Sequence, residues 1–573
     1  MIKDKTVENF GNTCESPVQG VADDETRLFS LHDRSGKEFE VAVKDVGFLE
    51  EIFSKLQTED KEGIKAPKGL LEIIEAYRNY RTGIPGKKPH LLVTGGFVRD
   101  ILSGKAPNDV DLATDLLTEE SYALLKEKLG EAKKIGVHGE ASEVVRVNFK
   151  NGEEYEISTF KSPSDSKGSY VKSPSTDSGA RDLTVNAIFY NPMTGHIIDY
   201  AGGMEDIKNR RLRFTGSAEA RINEDPLRML RYVRFLIKTG FSADPEHGKV
   251  IREKAGLLQR VAKERLKAEM DKILALASSR VFLEKLDEYG LLQALMPEIR
   301  SLKDCEQGPP YHLEGDVFKH TLMVSDELPD SAGSRLKWAV IFHDIAKPGT
   351  REEKIKEDLR KVSFIGHDKL GAKMAEEVMD RLGFSKKESS AIGWIIENHQ
   401  SIFQNTTRRL ADSPDKEKAF KKAVRYFIDL VYELGGQDIF LKPQDPREAQ
   451  DFENRRKYVL GVIDDLVALA IADTKGKDSG SAEGQDDAEI IARLYREARK
   501  EIEDILNAKK VNVDSLVTGK LIMEGFNIKP GPQVGKIQKL IKKTIKEEGL
   551  NYNNEEEALN YIKYVMEQIK LKL

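Results

Sequence analysis

The sequence predicts an α+β protein, with a small mixed-sheet head followed by an all-α neck, middle region and tail. Three observations carry this expectation. Between about residues 89 and 215, short apolar runs bounded by turn residues alternate with helix-like stretches. From about residue 216 to the C-terminus the apolar positions recur with a helical period. At 573 residues the chain is also too long for one hydrophobic core. Shifts in pattern and composition divide it into 1–88, 89–215, 216–300, 301–475 and 476–573. The first segment has no assigned role.

Within the first segment, "KEFEVAVKDVGFLEEIF" reads as a strand running into a helix. The head contributes strands at "HLLVTGG", "DVDLAT", "VVRVNF", "EYEISTF", "AIFYN" and "HIIDYA". Two stretches rich in breakers and small polar residues, 161–180 and 474–487, are expected to be flexible.

Composition narrows the function classes. Charged residues make up 33% and hydrophobic residues 39%, as in a soluble globular chain. No apolar run approaches the roughly 20 residues of a membrane span. The first residues lack the apolar core of a signal peptide. Cys14 and Cys305 lie far apart, so two free thiols in a reducing cytoplasm are expected, with no membrane partner. The net charge of −6 leaves nucleic-acid contact to local basic patches.

The head carries the first chemical constellation. Gly95-Gly96 closes a strand and opens a helix-like stretch that contains Arg99. Glycines there let backbone N–H groups approach a phosphate, the helix N-terminus favours the anion, and Arg99 is expected to add charge. Asp109 and Asp111 stand two apart on a strand, so both face one side. A carboxylate pair suits a hard divalent cation such as Mg²⁺. Glu156 is the expected third acid, with Glu154 as the alternative on the same face. Three carboxylates beside a phosphate cradle describe two-metal transfer of a nucleotide to a hydroxyl.

A second constellation follows in "NEDPLRMLRYVRF". Pro226 suits the first position of a helix, with Asp225 as its N-cap and Arg228 one turn on. Cytosine and adenine each present an amine donor beside a ring-nitrogen acceptor. A carboxylate accepts from the first and a guanidinium donates to the second, so an Asp225–Arg228 pair would accept CTP and ATP and reject GTP and UTP.

These stretches, with "YEISTFK", "RDLTVNAIFYN" and "DYAGGMEDI", resemble the class II tRNA nucleotidyltransferase and bacterial poly(A) polymerase family in motif order over residues 91–300. The resemblance implies a nucleotidyltransferase head with Asp109 and Asp111 as metal ligands. It implies base reading by Glu224, Asp225 and Arg228, with Arg231 in the same nucleotide-binding set. Arg181, Asp182 and Asn186 would contact triphosphate and sugar. Ala180 stands where the family usually has an arginine, and the preceding loop departs from the family pattern. Full CCA addition therefore competes with CC, A or poly(A) addition.

Five of the ten histidines fall between 312 and 399. His320, His343 and Asp344, with a distal aspartate, make a mixed imidazole–carboxylate site for Mg²⁺, Mn²⁺ or Ni²⁺. The set resembles the HD phosphohydrolase superfamily, and that likeness points to Asp473 as the distal ligand. His367 and His399 would serve a second metal or a substrate phosphate. The tail stretch "KPGPQVGKI" resembles the C-terminal part of HD-bearing tRNA nucleotidyltransferases. Its Lys529, Lys536, Lys539 and Lys543 would meet the tRNA backbone. A reading of another class is an HD phosphohydrolase whose head only binds RNA.

Overall fold

A computed structural model of the protein describes residues 27–32, 38–43, 68–80, 89–103, 105, 107, 110–130, 134–138, 144–161, 173–308, 315–356, 359–436, 449–477, 483–507, 516–548 and 555–570. The chain divides into two compact units. One comprises Met1–Cys305 with Ala375–Ser389, the other Glu306–Met374 with Ser390–Leu573.

In the first unit, β1 (Arg27–His32) and β2 (Glu38–Val43) form an antiparallel hairpin. Seven further strands make one sheet. They are β3 (Leu91–Thr94), β4 (Asp111–Thr114), β5 (Lys134–His138), β6 (Val144–Asn148), β7 (Glu154–Thr159), β8 (Ile188–Asn191) and β9 (His196–Asp199). Their order is β5-β6-β7-β4-β3-β8-β9. β4 and β7 run parallel, and the other neighbours are antiparallel.

The interior strand β3 is buried along its length, which is why it reads as one apolar run. β6 and β7 alternate instead. Val145, Val147, Tyr155 and Ile157 are buried, while Arg146, Glu154 and Glu156 look outward. β5 was not expected from the sequence. "KIGVH" offers two apolar side chains around a glycine, too weak a pattern to separate from a loop.

The stretch "DYAGGMEDI" earns its place by packing. Asp199 accepts hydrogen bonds from the N–H groups of Ala201, Gly203 and Met204 at 2.9–3.1 Å, and so starts the helix Gly203–Lys208. Asp206 is fully buried and accepts from Thr184 Oγ1 at 2.6 Å, Arg211 Nε at 3.1 Å and Arg213 Nε at 2.8 Å. A side chain on Gly203 would put its Cβ 2.2 Å from the Thr184 carbonyl oxygen.

The neck corrects a capping expectation. The helix Ala218–Glu224 ends at Asp225, and the next helix, Arg228–Thr239, starts three residues after it. Asp225 lies extended (φ −146°, ψ 99°), the conformation that a following proline imposes. Its carboxylate accepts the Leu227 N–H at 3.2 Å, so it turns the chain between two helices instead of capping one that begins at Pro226. β10 (Arg211–Leu212) and β11 (Ser242–Ala243) add a short parallel pair.

The second unit is mostly helical but not wholly so. β12 (Arg351–Lys356) and β13 (Leu359–Phe364) form an antiparallel hairpin inside the region expected to be all-α. "REEKIK" and "LRKVSF" are too charged to show an apolar alternation. The segment 161–180 ends in a helix, Pro174–Ala180, and 474–487 is helical at both ends. In the tail, the helices Gly519–Phe526, Pro532–Glu548 and Glu555–Lys570 share a core that includes Ile522, Ile541, Ile562 and Val565. Cys305 is buried and in no disulfide among the described residues, and Cys14 lies outside them. Among the described residues no helix is long and apolar enough to cross a membrane.

Gly203→Ala should destabilise the protein by about 1–3 kcal/mol, because the new methyl overlaps a backbone carbonyl. Gly256→Ala, where a Cβ meets nothing within 4 Å, should stay within about 0.5 kcal/mol. Thermal denaturation of the two variants checks this, and equal melting curves would refute the packing account.

Candidate functional site

Register builds the acidic centre. Asp111 opens β4 and is exposed; its cross-strand neighbours are Thr94 on β3 and Glu156 on β7. Glu156 in turn faces Arg146 on β6. Arg146, Glu156 and Asp111 therefore form one row across three strands, and the register favours Glu156 over Glu154 as the acid beside Asp111. Gly95 has φ +71°, and a Cβ there would lie 2.7 Å from Asp111 Oδ2. Glycine thus lets the carboxylate close over the start of the helix Gly96–Leu102. Asp109 lies outside the described residues. Two carboxylates on neighbouring strands, next to a helix N-terminus, suit a divalent cation bound to a phosphate. Arg146, which the sequence reading did not single out, donates from Nε to Glu156 at 3.1 Å and from Nη2 to Glu156, and its Nε lies 2.9 Å from the Glu154 carboxylate as an ion pair.

Arg99 departs from its expected role. It is 1% exposed, in the first turn of its helix but turned inward. Its guanidinium donates to Asp100 at 2.6 and 2.8 Å and to Asn186 Oδ1 at 2.6 Å, and it lies 5.0 Å from the Phe235 ring centre. Arg99 thus ties Asn186 to the helix, and its burial leaves little of the guanidinium open to a phosphate. Asn186 donates to Asp182 at 3.3 Å, and Asp182 accepts from Arg231 Nε at 2.7 Å. Burial opposes the Asp182 charge, but Arg231 and the bonds from Asn186 and Leu183 hold its carboxyl below the ordinary value. The motif residues thus form a chain, Arg99–Asn186–Asp182–Arg231. Arg181 touches it through the Asn186 carbonyl, to which its Nη1 donates at 3.4 Å, and pairs with Asp177 at 2.9 Å over the Phe189 ring.

Asp225 and Arg228 do not pair with each other. Arg228 donates to Glu224 at 2.6 Å and to the carbonyls of Arg221 at 3.0 Å and Ala180 at 3.3 Å. Asp225 takes Arg265 at 2.7 Å. Each member of the expected base-reading pair is thus held by its own partner, Glu224 or Arg265. Arg265, 40 residues from Asp225 in sequence, gave no local signal.

In the second unit the six expected ligands converge. His320, His343 and Asp473 form one group with ligand atoms within 4.8 Å of one another; Asp344, His367 and His399 form another. Asp344 joins the two, its carboxylate 3.1 Å from His343 Nε2 and 3.4 Å from His367 Nε2. The Nδ1 atoms of His343, His367 and His399 lie 2.8, 2.7 and 2.6 Å from the carbonyls of Val340, Phe364 and Ile396. Donation to those carbonyls places the proton on Nδ1 and aims the Nε2 lone pair inward. Among the described residues the buried His343 Nε2 and His367 Nε2 have no hydrogen-bond donor or acceptor of their own, while Asp344 Oδ2 faces the Lys347 ammonium.

Burial pushes His399 down to about 4, helped by repulsion from His367 and His343, and burial also lowers His367. Both therefore stand neutral at pH 7, the form that binds metal. Burial opposes the Asp344 charge, yet His343, Lys347 and His367 hold it well below the ordinary value. Inward lone pairs, neutral imidazoles and ionised carboxylates fit a divalent metal. Lys347, not foreseen, is buried with its ammonium 2.7 Å from Asp344 and 2.6 Å from Gln307. In the tail, Lys529, Lys536, Lys539 and Lys543 are exposed, with Lys536, Lys539 and Lys543 opposite the buried Ile537 and Ile541.

Three family descriptions match the chain in this order: the poly A polymerase head domain at 91–213, a "probable RNA and SrmB-binding site of polymerase A" at 240–303, and the HD domain at 316–427. The Multifunctional CCA protein of Pseudomonas fluorescens is 32% identical over 50% of this chain and 69% of its own length. The CCA-adding enzyme of Geobacillus stearothermophilus is 38% identical over 45% and 59%. The A-adding tRNA nucleotidyltransferase of Deinococcus radiodurans is 28% identical over 62% and 72%. A solved CCA-adding enzyme of Bacillus stearothermophilus in complex with CTP is 22% identical, covering 88% of this chain and 99% of that one at a TM-score of 0.48. Asp111 and Glu156 fall within the head-domain match, and His320, His343, Asp344, His367 and His399 within the HD match, and the chain belongs to the class II tRNA nucleotidyltransferase and poly(A) polymerase family, as a nucleotidyltransferase with an HD domain.

Proposed function

We propose that the protein adds CCA to the 3′ end of tRNA from CTP and ATP, and that its HD site hydrolyses a phosphoester. The observation that carries the first activity is the Asp111–Glu156 register beside Gly95. Asp111, Glu156 and, from the sequence, Asp109 would hold two Mg²⁺ ions. Bound cations there supply charge stabilisation at the reacting phosphate and a more acidic 3′-hydroxyl. Residues 89–215 form the catalytic head and 216–300 the neck. The chain Arg99–Asn186–Asp182–Arg231 fixes the head motif against the neck helix that begins at Arg228, so the base-reading residues keep a set distance from the acids. Asp225 and Arg228 present acceptor and donor to the base while Arg265 and Glu224 hold them. The segment 476–573 carries tRNA-facing lysines. Two of the relatives named above are CCA proteins, and one is A-adding; the reading takes the CCA side.

Residues 301–475 form the HD domain. A divalent cation there supplies an activated water. His320, His343, Asp344 and Asp473 would hold it, His367 and His399 would extend the site, and Lys347 would add positive charge for a phosphate.

Asp111→Ala should cut CTP and ATP addition to a tRNA lacking its end by about a thousandfold, with tRNA affinity nearly unchanged. His343→Ala should do the reverse: nucleotide addition stays, while bound metal by elemental analysis and hydrolysis of a 2′,3′-cyclic phosphate are lost. Both assays are run on both variants with Mg²⁺, Mn²⁺ and Ni²⁺. Parental addition by Asp111→Ala would overturn the head assignment, and a metal-free parent protein the HD assignment.

Asp225→Ala and Arg228→Ala should each erode the preference for CTP and ATP over UTP and GTP. A charge-assisted bond worth about 1.5–3 kcal/mol corresponds to roughly 10- to 100-fold in the ratio of kcat/KM values. If the preference survives both changes, the two residues only hold the helices together.

A further inference from the structure

The row across β6, β7 and β4 contains one cation among its acids. Arg146 faces Glu156 directly, and Glu156 faces Asp111. The guanidinium grips Glu156 through Nε at 3.1 Å and through Nη2, and reaches Glu154 from the same Nε at 2.9 Å. Glu154 and Glu156 look out from the same face of β7, but only Glu156 is the register neighbour of Asp111. The side chains of Arg146, Glu154 and Glu156 are 37%, 50% and 43% exposed. Such pairs are weak and exchange readily.

We propose that Arg146 is a positioning residue that holds Glu156 while the head lacks its metal, and passes to Glu154 when a divalent cation binds between Glu156 and Asp111. The proposal rests on the reading of Glu156 as a metal ligand. Without a cation, Asp111 and Glu156 are like charges on neighbouring strands, and Arg146 relieves that repulsion. An arginine stays protonated, so it cannot clear the way by losing its charge. It must move, and Glu154 is the acid it already touches. The exchange needs no strand movement, only a change of rotamer. Arg146 then sets how much metal the head requires, and Glu154 sets how easily Arg146 lets go.

Mn²⁺ binding to the full-length, nucleotide-free protein, followed by electron paramagnetic resonance, tests this. The ion lost in Asp111→Ala defines the head site and separates it from the histidine cluster. Arg146→Gln should tighten that ion by about two- to fivefold, the scale of breaking one exposed ion pair. Arg146→Lys should stay near the parent. Glu154→Gln should weaken binding by a similar factor, and the double variant Arg146→Gln with Glu154→Gln should bind as tightly as Arg146→Gln alone. Unchanged or weaker binding in Arg146→Gln, or a double variant that follows Glu154→Gln, overturns the proposal. Glu156→Gln distinguishes the two levels. If it leaves Mn²⁺ binding and nucleotide addition at parental values, the reading of Glu156 itself fails. If it lowers both while Arg146→Gln changes nothing, only the role of Arg146 falls.

Discussion

The parallel pairing of β4 with β7 is the constraint on which the head depends. A parallel register places Asp111 beside Glu156 only if the intervening chain crosses over and returns in the same direction. The helix Thr118–Leu129 and the antiparallel strands β5 and β6 provide that return. A slip of one residue would turn Glu156 to the buried face and bring Ile157 or Tyr155 outward. The buried alternation of Val145, Val147, Tyr155 and Ile157 prevents the slip. Hydrophobic burial on one face of the sheet therefore fixes the chemistry on the other.

A second principle runs through both candidate sites: charged groups are oriented by partners that are not themselves reactive. Backbone carbonyls turn His343, His367 and His399, and Glu224 and Arg265 hold Arg228 and Asp225. Such bonds cost little in a folded chain whose carbonyls are already fixed in helices or at a strand end, and they remove the rotamer freedom that would otherwise blur a binding site. Asp206 does the same at a larger scale, since one fully buried carboxylate gathers Thr184, Arg211 and Arg213. The motif stretches around it thus serve architecture as well as chemistry.

Much of this was legible in one dimension. The strands of the head announced themselves through short apolar runs ended by glycine or acid. The histidine-cluster ligands could be named because five histidines crowd into 312–399 and because the resemblance to the HD superfamily pointed to Asp473. Strand β5 and the hairpin β12–β13 were not legible, because their residues carry too few apolar side chains to show a period of two. The helix break at Asp225 was misplaced by two residues, since a proline signals a boundary without saying on which side the helix resumes.

Sequence alone determined the element types, the acids and imidazoles available, and the family in which they occur. These depend on neighbours within a few residues or on short motifs. Tertiary structure alone decided partners. Arg99 reads as a phosphate ligand from its place after Gly95-Gly96, yet it is buried against Asp100 and Asn186. Arg228 reads as the partner of Asp225, yet it pairs with Glu224. Arg146 carried no signal at all, yet it touches the candidate third acid. The reason is physical: a long cationic side chain can reach any of several acids or carbonyls, and the choice is made by which of them the folded backbone brings within about 3 Å.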